Sequence, residues 1–274
     1  MENKALKKYF IGIDSDGTAF DSMTIKHSKA FIPVAIKVWN FEGIKDTVTE
    51  ICERINLFSK TRGVNRFPGL LMMFEELEAK GEKVPDYTAL KDYINSGFGF
   101  SNSGLESYMK ENDDPFLESV MKWSKDSDVL FAKEVEGLMP FKYVKESLEK
   151  AQEYADIVVV SSASGKGLLK DWKTGKIDIY TSQILGQEAG TKKEQLKSAA
   201  EGKYDEDKIV MLGDALGDYE AAKSINALFF PIFPGKEEMA WENFLNEGLD
   251  RFLNGTFKGE YQNKILDDFN KMLK

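Results

Sequence analysis

Ile11-Gly12-Ile13-Asp14-Ser15-Asp16-Gly17-Thr18 is the stretch from which the rest of the chain is read. The apolar run from Tyr9 to Ile13 reads as a buried strand. It ends in two carboxylates spaced i, i+2, then Gly17 and Thr18. Successive side chains of a strand point to opposite faces, so Asp14 and Asp16 start out on one side. Gly17 lets the backbone turn sharply there. Two acids at the carboxyl end of a buried strand are costly unless something uses them. A Mg²⁺ ion, which takes hard oxygen ligands and few protein groups, would use them.

Outward from this stretch, apolar strands recur late in the chain. Asp156-Ile157-Val158-Val159-Val160 is a continuous, mostly β-branched run, as is expected of a strand buried on both faces. Lys208-Ile209-Val210-Met211-Leu212 is another, and Ala227-Leu228-Phe229-Phe230-Pro231-Ile232 a last one. Weaker strand signals lie at Ile177–Thr181 and near Gln183–Leu185. Helical patterns separate these runs, among them Phe141–Ala155 and Lys192–Ala200, and strands alternating with helices predict a parallel α/β sheet. Asp14 and Ser162 stand much further apart than the ~30 residues of a βαβ unit, which leaves roughly a hundred residues inserted after the first strand. That insert shows helical periodicity: Met23 to Phe41 broken at Pro33, Ile44 to Phe58, Leu70 to Ala79, then helices from Asp86, Leu105 and Pro115. The expected organisation is an α/β Rossmann-like core of residues 1–20 and 136–274, with an all-helical cap domain of residues 21–135.

Composition narrows the setting. The 274 residues are 42% hydrophobic and 30% charged, as in ordinary globular chains. No apolar run approaches the ~20 residues of a membrane span, and nothing near Met1 reads as a signal peptide. Cys52 is the only cysteine, which excludes an intrachain disulfide and a cysteine-based zinc site and favours a cytoplasmic setting. The net charge of −9 argues against a nucleic-acid binder, but not against a small anionic substrate met by a local cation or metal.

Three strands end in polar clusters: Asp14/Asp16/Thr18, Ser161/Ser162 and Asp214/Asp218. In open α/β sheets the site lies outside the carboxyl ends of the strands, so neighbouring strands would bring these clusters together. Asp14-Ser15-Asp16-Gly17-Thr18 after an apolar strand resembles the first signature of the haloacid dehalogenase (HAD) superfamily, Asp-x-Asp-x-Thr. Ser162 after the second strand resembles its second signature, and Gly190-Thr191-Lys192 its third. Gly213-Asp214-x-x-x-Asp218 resembles the fourth. The insert matches in position and helical character, not in sequence.

The resemblance implies roles. Asp14 would be the nucleophile that forms an aspartyl-phosphate, and Asp16 the general acid and base. Mg²⁺ would be held by Asp14, the Asp16 carbonyl, Asp214 and Asp218. Thr18, Ser162, the Ala163 amide and Lys192 would hold the phosphoryl oxygens. Ser161 and Lys193 adjoin the favoured Ser162 and Lys192 and stay open as alternatives. Superfamily members that cleave carbon–halogen or phosphonate bonds, and the ion pumps, lack an aspartate at the position of Asp16. Its presence implies phosphate-ester chemistry: a phosphatase acting on a small phosphorylated metabolite. A sugar phosphomutase on the same core, or a non-catalytic phosphate-binding protein, are the alternatives. A receiver module, which also phosphorylates an aspartate, carries its acidic pair and that aspartate on different strands. Within the cap, the basic segment Lys60, Arg62, Arg66 offers Arg62 and Arg66 as candidate contacts to an anionic substrate, because the guanidinium fork binds two oxygens at once.

Overall fold

The computed structural model describes residues 7–273. They divide into two compact units: one formed by residues up to Ser22 together with those from Gly137 onward, the other by Met23–Glu136.

The first unit is built on a five-stranded parallel sheet in the order β3-β2-β1-β4-β5. Its strands are β1 (Tyr9–Ile13), β2 (Ala155–Val160), β3 (Gln183–Leu185), β4 (Ile209–Gly213) and β5 (Leu228–Pro231). Every residue of β1, β4 and β5 is buried, which is why these strands read as unbroken apolar runs rather than alternating ones. Ile13 stands opposite Val159 of β2 and Leu212 of β4, so the central three strands end level. The chain order runs outward in opposite directions from β1, through β2 to β3 and through β4 to β5, which places a topological switch point beside β1. Backbone bonds extend the ladder past the strand ends: Asp14 N–H donates to the Leu212 carbonyl at 3.0 Å, and Ser161 N–H to that of Leu185 at 3.1 Å.

Two local expectations are corrected. Ile177–Thr181 is not a strand. Asp178–Tyr180 form a single 3₁₀ turn, and the edge strand is the three-residue β3. Ile177 is buried but Ile179 is 72% exposed, so the apolar spacing there does not mark one face of a sheet. The helix expected from Phe141 begins at Val144. Before it, Phe20 pairs with Pro140 and Phe141 N–H donates to the Ala19 carbonyl at 2.9 Å, while Tyr143 takes a left-handed φ of 69°. Those backbone groups pair across the neck of the insert and are not available to a helix.

The second unit is all helical, and its core is aromatic. Trp123 packs against Phe31, Trp39 and Phe67 with ring centroids 5.4–6.5 Å apart, and Phe74 lies 5.0 Å from Trp39. The break expected at Pro33 takes the form of a π-helical turn, Lys26–Phe31, followed at once by the helix Ile32–Val38 with Pro33 in its first turn. Pro33, which has no N–H to donate, follows directly on this widened turn, in which Ile32 N–H reaches back to the His27 carbonyl. A second π-turn, Arg54–Phe58, ends the helix Lys45–Glu53. The longest helix, Pro115–Glu134, is capped by Asp114, whose carboxylate accepts from Phe116 N–H at 2.8 Å. Among the described residues no helix is long and apolar enough to cross a membrane.

His27 lies in the first π-turn and is 5% exposed. Burial pushes its pKa down from 6.5 to about 3, helped by the positive charges of Lys26, Arg62 and Arg66. The unfolded chain therefore binds more protons than the folded one between those two values, so stability is complete above pH 6.5 and falls as pH drops through the window. The slope expected from this one group is about 1.4 kcal/mol per pH unit. Urea unfolding at pH 7, 6 and 5 should show this loss in the wild type and a shallower one in His27→Gln. Equal slopes would exclude a buried neutral His27.

Candidate active site

The motif loop leaves β1 at Asp14, which is 3% exposed. Gly17 adopts a φ of 78°, a conformation that only glycine takes at little cost, and Asp16 pairs with Phe20 across the resulting turn. The turn separates the two acids that strand alternation placed together. Asp14 faces Lys192, whereas the Asp16 Oδ1 accepts from the Ser22 hydroxyl at 2.6 Å. Two fully buried indoles hold the loop from behind: Trp172 Nε1 donates to Ser15 Oγ at 3.0 Å, and Trp241 Nε1 to the Thr18 carbonyl at 2.7 Å.

From β4 come Asp214 and Asp218. Asp218 lies in the first turn of the helix Leu216–Lys223, and its Oδ2 accepts from Ala215 N–H at 3.1 Å. Position 213 must be glycine for this approach, since a Cβ there would fall 2.3 Å from the Cβ of Asp218. The Thr18 hydroxyl donates to Asp214 Oδ1 at 2.6 Å. Thr18 is wholly buried, so in this structure its hydroxyl serves a carboxylate rather than the phosphate contact the resemblance implies.

Lys192 opens the helix Lys192–Ala200, behind a capping box in which the Thr191 hydroxyl accepts from Glu194 N–H and Glu194 reaches back to Thr191 N–H. This cap delivers the Lys192 ammonium between two carboxylates, 2.9 Å from Asp14 Oδ2 and 2.6 Å from Asp218 Oδ1. Lys193, one residue on, is exposed.

The charge balance is uneven. Asp14, Asp214 and Asp218 each bring a carboxylate oxygen within 4.8 Å of the others, all three residues are buried, and one ammonium faces them. Burial pushes the Asp14 carboxyl well above the ordinary range; Lys192 opposes this, while Asp218 and Asp214 add to it. Asp218 is raised in the same way, by burial first, against Lys192. For Lys192, burial disfavours the charged form, but Asp14, Asp218 and Asp214 outweigh it and hold the ammonium well above its usual value. Asp14 Oδ1 is buried with no hydrogen-bond partner. An orphaned carboxylate oxygen within an all-oxygen, acid-rich donor set suits a hard divalent cation such as Mg²⁺.

After β2, Ser161 is buried and its hydroxyl accepts from Ala163 N–H at 3.2 Å, while Ser162 is exposed. The structure thus gathers Asp14, Asp214, Asp218, Lys192 and Thr18, with Asp16 on the same loop. Arg62 and Arg66 belong to the helical unit. Arg62 is 5% exposed and donates from Nη1 to the Leu57 carbonyl at 2.8 Å. Arg66 donates to Asp128 Oδ1 at 2.6 Å and Ser124 Oγ at 2.9 Å, with its guanidinium over the Phe31 ring. Sequence reading missed Ser22, Trp172, Trp241 and Gln195, the last a buried residue whose amide reaches the backbone after β2 and β3. Their hydrogen bonds leave no local pattern that could have revealed them.

No protein-family model and no curated protein matches the sequence. Among solved structures, a hydrolase from Pseudomonas syringae is similar with a TM-score of 0.52 and 17% identity, over 89% of this chain and 99% of that one. A haloacid dehalogenase-like family hydrolase from Streptococcus pneumoniae gives a TM-score of 0.44 and 12% identity, over 85% of this chain and 90% of that one. A predicted phosphoglycolate phosphatase from Haemophilus somnus gives 0.46 and 16%, over 81% and 84%. The latter two scores are too low to bear on the comparison, and at 17% identity the first bears on the fold alone. The chain thus shares the fold of that hydrolase: a Rossmann-like parallel core with an all-helical unit inserted after the first strand.

Proposed function

We propose that the protein is a Mg²⁺-dependent phosphatase that hydrolyses a small-molecule phosphate monoester through an aspartyl-phosphate on Asp14. The observation that carries this reading is the placement of Asp14 at the end of the central strand. One of its oxygens is held by Lys192, the other is buried without a partner, and oxygens of Asp214 and Asp218 lie within 4.8 Å. Asp14, Asp214 and Asp218, with the Asp16 carbonyl, would hold the metal. Bound there, Mg²⁺ would screen the phosphate charge from the carboxylate and orient the phosphoryl group.

The chain's own groups then divide the work. A carboxylate oxygen of Asp14 attacks phosphorus as the ester P–O bond breaks, and Asp16 gives its proton to the leaving alkoxide. Asp16 then takes a proton from water, the water oxygen attacks phosphorus, and the bond to Asp14 breaks, releasing inorganic phosphate. Ser22 holds the Asp16 carboxyl through the 2.6 Å hydrogen bond to Oδ1. Lys192 fixes the Asp14 carboxylate and faces the charge on the phosphoryl oxygens. The Ser162 hydroxyl would supply a donor from the end of β2, and the Ala163 amide a second one on leaving the Ser161 hydroxyl, to which it donates at 3.2 Å. Arg62 and Arg66 are the candidates for a second anionic group of the substrate, and Arg62, buried and bound to the Leu57 carbonyl, would have to leave that partner to meet it. At Arg66 that group would compete with Asp128. A cytoplasmic setting is part of this reading, supported by the single, buried Cys52.

A panel of phosphate monoesters assayed with Mg²⁺ and with chelator tests the reaction. Mg²⁺-dependent phosphate release is expected in the wild type and none in Asp14→Asn. A folded, Mg²⁺-binding wild type without release would exclude the hydrolase. Asp16→Asn should slow alkyl phosphates by about 10²–10⁴ and aryl phosphates with good leaving groups far less, since only a poor leaving group needs a proton. Equal losses on both would remove Asp16 from the acid role. In chelator, Lys192→Met strands two buried carboxylates and should cost about 3–5 kcal/mol in urea unfolding. Added Mg²⁺ should recover part of it. A loss below about 1 kcal/mol would mean the ion pair carries little.

A further inference from the structure

Gln195 is wholly buried, one helical turn after Lys192 on the same helix. Its side-chain amide is engaged on both ends. Oε1 accepts from Ser161 N–H at 3.0 Å. Nε2 turns its two hydrogens on three carbonyls, those of Ser161 at 2.9 Å, Gly186 at 3.0 Å and Gly190 at 2.8 Å, so that one hydrogen is shared. The Ser161 N–H fixes which end of the amide is oxygen, because the NH₂ group could not accept from it. One side chain thus joins three backbone segments: the end of β2, the residue after β3, and the turn that leads into the Lys192 helix.

The neighbouring geometry gives this junction a purpose. Ser162 and Ala163, the phosphoryl donors proposed after β2, follow Ser161 directly, and Gln187 N–H donates to the Ala163 carbonyl at 2.8 Å. Gly186 passes so close to the loop that a Cβ there would fall 2.4 Å from Gly165 N, so the loop has little room to move on that side. Gly190 has a φ of 96°, and its carbonyl, held by Gln195, precedes the Thr191 cap and Lys192. Gln195 makes none of its hydrogen bonds to Asp14, Asp214 or Asp218, the carboxylates carried by β1 and the β4 end.

We infer that Gln195 is a positioning residue that sets the distance between the phosphoryl donors after β2 and the Lys192 ammonium, and so tunes the affinity of the site for a phosphoryl group without touching it. This rests on the reading of the site as a phosphoryl site, not on turnover. Removing the amide leaves the carbonyl of the buried Ser161 unpaired and frees the β2 loop from the Lys192 helix, while Ser161 N–H keeps the Leu185 carbonyl and Gly186 keeps Ala189 N–H. The metal carboxylates keep their partners.

The test is the affinity of the full chain for inorganic phosphate in the presence of Mg²⁺, and for Mg²⁺ alone, by calorimetry. It compares the wild type with Gln195→Met, which keeps the length and loses the amide, and Gln195→Asn, which keeps the amide one methylene short. Gln195→Met is expected to weaken phosphate binding about ten-fold or more, and to leave Mg²⁺ affinity within about two-fold. Gln195→Asn should fall between it and the wild type, and it carries the test if the Met variant does not fold. Unchanged phosphate affinity in a folded variant overturns the inference. So does parallel loss of both affinities, which a merely structural role would produce. A wild type that binds phosphate but hydrolyses no monoester defeats the phosphatase reading and leaves this one to the affinity ratio. A wild type that binds no phosphate overturns both.

Discussion

The Lys192 ammonium, held between Asp14 and Asp218 inside the protein, is the interaction on which the rest of the site depends. Taking such charges out of water costs several kcal/mol per ion, and only close pairing with well-formed hydrogen bonds offsets it. The surrounding structure serves that need. The capping box fixes where the lysine leaves its helix, Gly213 lets Asp218 come close, and Thr18 occupies an oxygen of Asp214. Even so, three carboxylates face one ammonium, and an oxygen of Asp14 has no donor. The pocket is built with a surplus of negative charge, which is the electrostatic condition for attracting a divalent cation.

Around this centre the loops at the carboxyl ends of the strands lose most of their freedom to side chains that bind backbone. Trp172 and Trp241 hold the loop after β1 from helices on the core, and Gln195 ties those after β2 and β3. Backbone groups at strand ends lie outside the ladder and, when buried, need such partners. Anchoring from behind leaves the outward side of each loop for chemistry, and it fixes geometry without placing further charge in the pocket.

The sequence shows the core because parallel strands buried on both faces leave continuous β-branched runs, as at Ile157–Val160 and Ile209–Leu212. The acids were legible because each directly follows such a run, where chemistry is concentrated in this kind of sheet. Partners set by three-dimensional contact were not legible. Nothing in the local pattern ties Ser22 to Asp16, yet its hydroxyl donates to that carboxylate. Arg66 reads as an available cation, yet Asp128, far along the chain on another helix, answers it. The edge strand β3 is three residues long and partly exposed, so it leaves only the weak signal near Gln183–Leu185, while the apolar spacing around Ile179 belongs to a 3₁₀ turn. Propensity and period report burial and local geometry; they do not report which distant group completes a hydrogen bond.

The position of β1 has a consequence for how the molecule comes together. This strand is central in the sheet, yet both its neighbours, β2 and β4, are encoded beyond the entire inserted unit. Pairing across so long a stretch carries a loop-closure entropy cost that must be met before any ladder bond forms. The insert has a hydrophobic core of its own and is complete before β2 has been synthesised. On the ribosome, β1 is therefore made before either strand it pairs with. The pairing of Phe20 with Pro140 and of Phe141 with Ala19 then closes the neck and turns a distant encounter into a short one. The register of the strand translated first among the five thus depends on how the two ends of the insert meet.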